Sequence, residues 1–214
     1  MVNKSLFYIG TLSLLLLSSC GKNTVDSYED YLLWLDDTEN GLVRDKEAGG
    51  ITIKVKQLPS NYLAYQDLIN EKSIKKSIVD SIIGSYEKSL TFLLTIGVDG
   101  DVKKGDIMFQ GVRTYKEYKQ QLMELNFGIE NNISLSIGGN MYNPVLSHLE
   151  NVYGLTDKRN ITVVFVPATK EDKLFYLAEE IQFTYDDELF DTGINHFTFN
   201  REDINNNPSF KFWN

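Results

Sequence analysis

The segment LTFLLTI, residues 90–96, is an almost unbroken apolar run that ends at Gly97. An apolar run of this length, bounded by a turn residue, predicts a buried β-strand. Upstream of it, Ile51, Ile53 and Val55 alternate with polar residues and predict a half-buried strand. Apolar residues at helical spacing predict helices after Ser27, from Pro59 and over residues 74–86. Strands and helices therefore share this part of the chain.

Downstream, Thr114 and Glu117 form the capping-box pattern that predicts a helix running to residue 127. Short alternating or apolar runs then predict strands at residues 133–137, 145–152, 161–166, 181–185 and 194–199. We also predict a charged turn at residues 45–50 and a strand at residues 107–112.

These patterns predict an α+β fold, with helices mainly in the N-terminal half and a largely antiparallel sheet in the C-terminal half. No linker rich in proline, glycine or serine separates the halves, so we expect a single α+β domain over residues 27–214.

Charge and cysteine content exclude several classes of protein. The 214 residues carry 21 Lys and Arg against 30 Asp and Glu, for a net charge of −9. Phosphate backbones repel such a chain, so we predict no nucleic-acid partner. A single cysteine cannot form a disulfide within the chain, which leaves packing as the source of stability.

The first residues have the organisation of a secretory leader. Lys4 supplies a positive charge, and residues 6–17 follow as an apolar run. Twelve residues at about 1.5 Å each are too short to cross a hydrocarbon core of about 30 Å.

The end of this run, Leu17, Ser18, Ser19 and Cys20, resembles the lipobox of bacterial lipoproteins. The resemblance implies that residues 1–19 are a signal peptide, that Cys20 carries the lipid, and that residues 20–26 form a lipidated tether. It also implies a membrane partner, reached through the lipid on Cys20, and a place in the cell envelope. No Asp follows Cys20, which favours the outer membrane, while Lys22 and the Asn/Lys/Ile/Tyr bias resemble small envelope lipoproteins of the Bacteroidota. Which membrane face carries the protein stays open.

The run Phe190-Asp191-Thr192-Gly193 resembles the catalytic Asp-Thr-Gly of aspartic proteases. That chemistry needs two carboxylates sharing a proton, and the chain has no second Asp-Thr/Ser-Gly. A turn between the strands predicted at residues 181–185 and 194–199 explains the same residues.

Two acidic loops could supply oxygen ligands for Ca²⁺. One contains Asp99, Asp101 and Asp106, but it lacks the spacing of an EF-hand. The other comprises Asp186, Asp187, Glu188 and Asp191. We interpret both as turns and predict no metal, with Asp99, Asp101 and Asp106 kept as the alternative Ca²⁺ ligands.

Other catalytic patterns are weak or absent from the sequence. His148 and His196 fit no zinc motif, and we expect both at strand positions. No nucleophile elbow, phosphate-cradling loop or dinucleotide fingerprint is found, so we predict neither a cofactor nor an enzyme.

Aromatic residues are the remaining functional signal, with 12 Tyr, 12 Phe and 2 Trp. Tyr142, Tyr153 and Trp213 lie in or beside predicted loops, where exposed rings could bind a ligand. The expected function is therefore a non-enzymatic interaction or binding module with an envelope protein or glycan as partner. The alternatives are a glycan- or ligand-binding accessory lipoprotein and a hydrolase that uses acidic residues.

Overall fold

The computed structural model describes residues 24–71, 75–102, 105–151 and 156–210, which form antiparallel sheets with helices packed around them. The helices are α1 (Tyr28–Asp36), α2 (Ser60–Leu68), α3 (Lys76–Tyr86), α4 (Tyr115–Phe127), α5 (Lys173–Leu177) and α6 (Arg201–Asn205). The strands are β1 (Thr24–Val25), β2 (Val43–Ala48), β3 (Ile51–Leu58), β4 (Leu90–Val98), β5 (Ile133–Ile137), β6 (Asn140–Tyr142), β7 (Leu146–Leu149), β8 (Arg159–Phe165), β9 (Glu180–Asp187), β10 (Gly193–Asn200) and β11 (Ser209–Phe210).

The larger sheet has the strand order β2-β3-β4-β8-β7, and every neighbouring pair is antiparallel. Strand β4 is its central strand, which confirms the buried strand predicted from the apolar run. Val55 pairs with Leu94 on one side of β4, and Phe92 pairs with Val163 on the other. The backbone groups of β4 thus find partners on both sides, as burial requires.

The smaller sheet has the order β10-β9-β5-β6 and is also antiparallel throughout. Its strands alternate buried and outward positions, as in Ile133–Ile137. The predicted α+β class with antiparallel pairing is confirmed. The strands β2, β3 and β4 come from the first half of the chain, so the larger sheet combines both halves.

Aromatic side chains join the two sheets face to face. The ring of Phe92 lies 5.3 Å from that of Phe183 and 5.3 Å from that of Phe199, measured between centroids. Phe165, on the neighbouring strand β8, meets Phe92 edge-on at 6.1 Å and Phe183 at 6.2 Å. Tilted and edge-to-face arrangements of this kind add about 0.5–1.5 kcal/mol per pair to the burial of the rings.

Helix α1 begins as the sequence predicts, with the Ser27 hydroxyl accepting a hydrogen bond from the Asp30 amide at 3.0 Å. Its buried residues Tyr31 and Leu35 form a second cluster with Leu42, apart from the main core. A left-handed turn follows α1 at Gly41, where φ is +76°. A Cβ atom there would overlap the Asp203 carboxylate, so glycine is needed for space as well as for conformation.

Strand β1 lies before residue 27, within the segment 20–26 that was expected to be a tether. Thr24 and Val25 pair in parallel with Ser209 and Phe210 of β11. The two ends of the described chain therefore meet beside α1.

Two local predictions are wrong. The charged segment predicted as a turn is β2, the edge strand of the larger sheet, in which Asp45, Lys46 and Glu47 are exposed. Charged side chains on an edge strand hinder pairing with other chains, so this composition suits an edge. The strand expected at residues 107–112 is instead a 3₁₀ turn over Ile107–Phe109, in which the Asp106 carboxylate accepts a hydrogen bond from the Met108 amide.

The remaining helix predictions hold. In α4 the Thr114 hydroxyl accepts from the Glu117 amide, and the Glu117 carboxylate accepts from the Thr114 amide. Hydrogen bonds from the Arg113 amide and the Thr114 amide to the exposed Glu117 carboxylate hold the pKa of that carboxyl below its ordinary value. No helix within residues 24–71, 75–102, 105–151 or 156–210 combines the length and apolarity that a membrane crossing requires.

Candidate functional site

An open pocket of about 480 Å³ lies where the end of β3, the start of α2, the start of β4 and helices α5 and α6 come together. Antiparallel pairing of β3 with β4 places Leu58 opposite Thr91, so the residues entering α2 and leaving α3 lie side by side. The pocket is mainly polar. Its lining is Gln57, Leu58, Pro59, Ser60, Asn61, Leu63, Tyr86, Glu87, Ser89, Leu90, Tyr176, Arg201, Ile204, Asn205 and Asn207.

Arg201 is the cationic side chain of this lining. It begins α6, and its guanidinium donates to the Phe175 carbonyl through Nη2 at 2.6 Å and to the Ala178 carbonyl through Nε at 3.4 Å. Within the described residues no carboxylate lies within 4.0 Å of it. Burial lowers the pKa of this guanidinium below its ordinary value. Arginine nevertheless stays protonated, so the pocket holds a half-buried positive charge without an ionic partner.

The amino end of α2 lies on the same pocket. Pro59 precedes the helix and supplies no side-chain cap, while its carbonyl accepts from the Leu63 amide at 3.1 Å. The first amides of a helix have no acceptor within it, so α2 provides no partner for those of Ser60 and Asn61. The helix macrodipole places partial positive charge at this end.

Gln57 is the third polar feature of the pocket lining, and only 3% of the residue is exposed. Its Nε2 donates to the Leu58 carbonyl at 3.0 Å. Its Oε1 is buried and has no hydrogen-bond partner in the described structure. An unsatisfied buried acceptor costs about 1–3 kcal/mol, and protein atoms cover this one so completely that a group in the open pocket does not reach it.

Tyr86 closes another part of the wall. Its hydroxyl donates to the Asp67 carboxylate at 2.6 Å. Burial, reinforced by that carboxylate, raises the pKa of Tyr86 to about 12. The phenol thus stays neutral and is held in place as part of the scaffold.

Tyr142 was predicted to present an exposed ring to a ligand, and that expectation is wrong. The residue is only 6% exposed, and its ring packs edge-on against Phe175 at 5.2 Å. Its hydroxyl donates to the Asp172 carboxylate at 2.9 Å, while the other oxygen of that carboxylate caps α5 by accepting from the Phe175 amide at 3.2 Å. Burial and this hydrogen bond raise the pKa of Tyr142.

Tyr142 therefore acts at a distance from the pocket. Together with Asp172 it fixes the amino end of α5, and Arg201 holds the carboxyl end through the Phe175 carbonyl. Helix α5 in turn contributes Tyr176 to the pocket wall. The other predicted ligand-binding residues, Tyr153 and Trp213, and the predicted lipidation site Cys20 lie outside the described residues.

The alternative Ca²⁺ ligands, Asp99, Asp101 and Asp106, form no group of metal ligands among the described residues. The Asp106 carboxylate bonds to the Arg159 guanidinium at 2.6 Å and to the Met108 amide at 2.9 Å. The Asp99 carboxylate accepts from the Asp101 amide at 3.0 Å, which is ordinary turn chemistry. In the part of the chain that the structure describes, no three His, Cys, Asp or Glu side chains are grouped as metal ligands.

The second acidic segment is a hairpin connection between β9 and β10, which confirms the predicted turn. Asp191 lies there at φ +62°, and His196 lies on β10 beside Thr184, with the Thr184 Oγ1 and His196 Nδ1 atoms 3.0 Å apart. His148 lies on β7, so both histidines occupy strand positions, as expected.

Asp187 organises this hairpin, although only 3% of it is exposed. Its carboxylate accepts hydrogen bonds from the Tyr185 hydroxyl at 2.9 Å and the Thr192 hydroxyl at 2.6 Å, and from the amides of Leu189, Phe190 and Thr192 at 3.1 Å. Burial, and then the nearby carboxylate charge, raise the pKa of Tyr185. All the interactions of Asp187 are thus structural.

Two surface features have no counterpart among the predictions. The outer face of the smaller sheet forms a shallow groove of about 590 Å³, lined by side chains such as Ser134, Gln182 and Thr184. On α4 and the turn before it, Tyr118 lies between Phe109 and Tyr115, with ring centroids 5.5 and 6.4 Å apart. The spacing of three residues between Tyr115 and Tyr118 on a helix is a signal that could have indicated this cluster.

Comparison with known proteins gives little further information. No protein-family model matches the chain, and no curated protein matches it either. A crystal structure of a novel protein of unknown function from Burkholderia pseudomallei is similar over 82% of this chain and 84% of its own length. That similarity has a TM-score of 0.38 and a sequence identity of 10%.

The structural role of Asp187 yields a stability prediction. Asp187→Ala removes the acceptor of five hydrogen bonds at once, three of them from backbone amides, and leaves donors in the hairpin without partners. We expect the free energy of unfolding to fall by at least about 2 kcal/mol, measured by urea titration. The control is Asp186→Ala, at the exposed neighbouring position, where a change within about 0.5 kcal/mol is expected. Equal stabilities for the two variants would contradict this role.

Proposed function

We propose that this chain is a lipid-anchored cell-envelope protein that binds a small polar ligand, without catalysis, in the pocket around Arg201. The observation that carries the binding proposal is the half-buried guanidinium of Arg201, which faces an open pocket without a carboxylate partner. Proteins rarely bury a charge unless it is paired, so an unpaired one in an open pocket favours a ligand as its partner.

The anchor part of the proposal rests on the sequence. Leu17, Ser18, Ser19 and Cys20 follow an apolar run of secretory length, and Cys20 is the sole cysteine of the chain. Burial of lipid chains contributes about 0.8 kcal/mol per CH₂, and two or three chains give stable attachment. The absence of Asp after Cys20 favours the outer membrane as the location.

Strand β1 limits how far the domain could extend from such an anchor. Pairing with β11 begins at Thr24, so four residues, 20–23, would separate the lipid from the first strand. Four fully extended residues reach at most about 14 Å. A pocket on this domain would therefore stay close to the membrane surface, where an envelope glycan or protein component could supply the ligand.

The pocket chemistry favours binding over catalysis. Its polar groups are a guanidinium, side-chain amides, helix amides, Ser and Tyr hydroxyls and the exposed Glu87 carboxylate, and groups of these kinds can hold and orient a ligand. The Ser89 hydroxyl donates to the Tyr86 carbonyl at 3.0 Å and so serves the local turn. We therefore assign no chemical step to this pocket.

The anchor is tested by Cys20→Ala. The variant lacks the thiol that would receive the lipid, so we expect no incorporation of an alkynyl fatty acid in growing cells and accumulation of the uncleaved precursor. Detection by click chemistry on the immunoprecipitated protein measures the first effect, and gel mobility measures the second. A labelled Cys20→Ala variant would contradict the anchor.

Binding at the pocket is tested by obstructing it. Asn205→Trp places a large side chain at an exposed position that lines the pocket, and Glu202→Trp places one elsewhere on the same short helix. The test is a screen of amino acids, organic acids and sugars by native mass spectrometry, with wild type and both variants prepared as lipid-free proteins. At least one compound should bind wild type and the Glu202→Trp variant but bind the Asn205→Trp variant at least tenfold more weakly, because the indole occupies its volume.

The contradicting outcomes of this screen are clear. If no compound bound the wild-type protein, the proposal that the pocket binds a small polar ligand would be contradicted. Equal binding to both variants would place the site elsewhere, with the groove of the smaller sheet as the next surface to obstruct.

A further inference from the structure

We infer that the ligand of this pocket carries an oxyanion, a carboxylate or phosphate, held between the Arg201 guanidinium and the amino end of α2, with hydroxyl or amine groups elsewhere on the molecule. The inference rests on the proposed binding function and specifies its ligand class.

Arg201 retains donor capacity for such a group. A guanidinium has five N–H donors in a planar fork, and the carbonyls of Phe175 and Ala178 engage two of its nitrogens, Nη2 and Nε. The remaining donors belong to a side chain that lines the pocket. Planar forks of this kind match carboxylate and phosphate geometry better than an ammonium does.

The amino end of α2 adds a second source of positive potential on the same pocket. Helix α2 has nine residues, and the amides of Ser60 and Asn61 need acceptors from outside the helix. Anions are preferred at such an end because the amides donate directly and the macrodipole acts in the same sense. The guanidinium and the helix end are independent features, from distant parts of the sequence, that line one cavity.

Side-chain amides on the same lining suit the rest of the ligand. Asn61, Asn205 and Asn207 line the pocket, and each side-chain amide can both donate and accept a hydrogen bond. Hydroxyl or amine groups attached to the oxyanion would meet these amides. Sugar acids, hydroxy acids and amino acids combine an oxyanion with such groups.

Charge elsewhere on the lining is compatible with this assignment. Glu87 is the carboxylate among the lining residues, and it is exposed, so water screens its effect on a bound anion. The charges of Arg201 and Glu87 cancel formally, so the positive potential comes from the half-buried position of the guanidinium and from the amino end of α2.

The test uses D-glucuronate, D-glucose and inorganic phosphate as probes in NMR titrations of the lipid-free protein. Glucuronate has a carboxylate and hydroxyls, glucose has only the hydroxyls, and phosphate has only the oxyanion. We expect glucuronate to shift the amide signals of Ser60 and Asn61 and the Nε–H signal of Arg201. Its affinity should exceed that of glucose by at least about tenfold, because a charge-assisted hydrogen bond is lost with glucose.

Two variants assign the effect to the two features. Arg201→Gln should weaken glucuronate binding by about tenfold to a hundredfold. Because Arg201 also supports α5, Ser60→Pro provides an independent measurement. Proline at the first position of a helix removes only the amide donor there and suits the required φ. It should weaken binding at least about fivefold, whereas Ser60→Ala, which keeps the amide, should stay within about threefold of wild type.

Each outcome decides between the possibilities. Binding of glucuronate with loss in Arg201→Gln and Ser60→Pro supports the inference, and the affinity of phosphate relative to glucuronate shows which oxyanion the site prefers. Equal binding of glucose and glucuronate would overturn the oxyanion while leaving a ligand pocket in place. The oxyanion would also be overturned if glucuronate bound both variants as tightly as wild type. The same holds if neither anion shifted the signals of Ser60, Asn61 and Arg201. The proposed function itself is judged separately, by the Asn205→Trp screen.

Discussion

The contact of Phe92 with Phe183 and Phe199 is the interaction on which the rest of the structure depends, because it joins the two sheets. Each antiparallel sheet has one apolar face that must be covered, and each covers the other. With no disulfide available, the single cysteine leaves this packing to hold the domain together. The pocket depends on it as well. Its wall is made from the ends of β3 and β4 in the larger sheet and from α5 and α6, which flank β9 and β10 of the smaller sheet.

Segments with strong local patterns could be predicted from the sequence. The apolar run of β4, the alternation of β3 and the caps at Ser27 and Thr114 all report backbone preferences that act within a few residues. Strand β2 could not be predicted in this way, because an edge strand exposed on both faces carries charges such as Lys46 in place of apolar alternation. Helices α5 and α6 have five residues each, which is too short to display helical periodicity.

The site was harder to predict than the fold. Tyrosine has an apolar ring and a polar hydroxyl, so its type does not decide between core and surface, and Tyr142 belongs to the core through its bond to Asp172. Arg201 belongs to no motif. Its role depends on tertiary contacts that the sequence does not show. It donates to a carbonyl of α5, has no carboxylate beside it among the described residues, and shares its pocket with the distant residues Gln57 and Ser60. The acidic motifs show the converse, since their residue types match a functional pattern while their role is structural. Asp-Thr-Gly and Asp-Gly-Asp also suit turns, and the Asp187 and Asp99 carboxylates accept hydrogen bonds within those turns.

A single core that holds both sheets and the pocket together is tested most directly by native-state hydrogen exchange in increasing urea. Amides in the middle of β4, such as those of Phe92 and Leu94, report the larger sheet, and those of Phe183 and Tyr185 in β9 report the smaller one. If the Phe92 contacts join the sheets into one cooperative unit, both sets should exchange with the same opening free energy and the same dependence on urea. Exchange of the β9 amides at a distinctly lower free energy, with a weaker urea dependence, would show that the smaller sheet opens by itself and would contradict the common core.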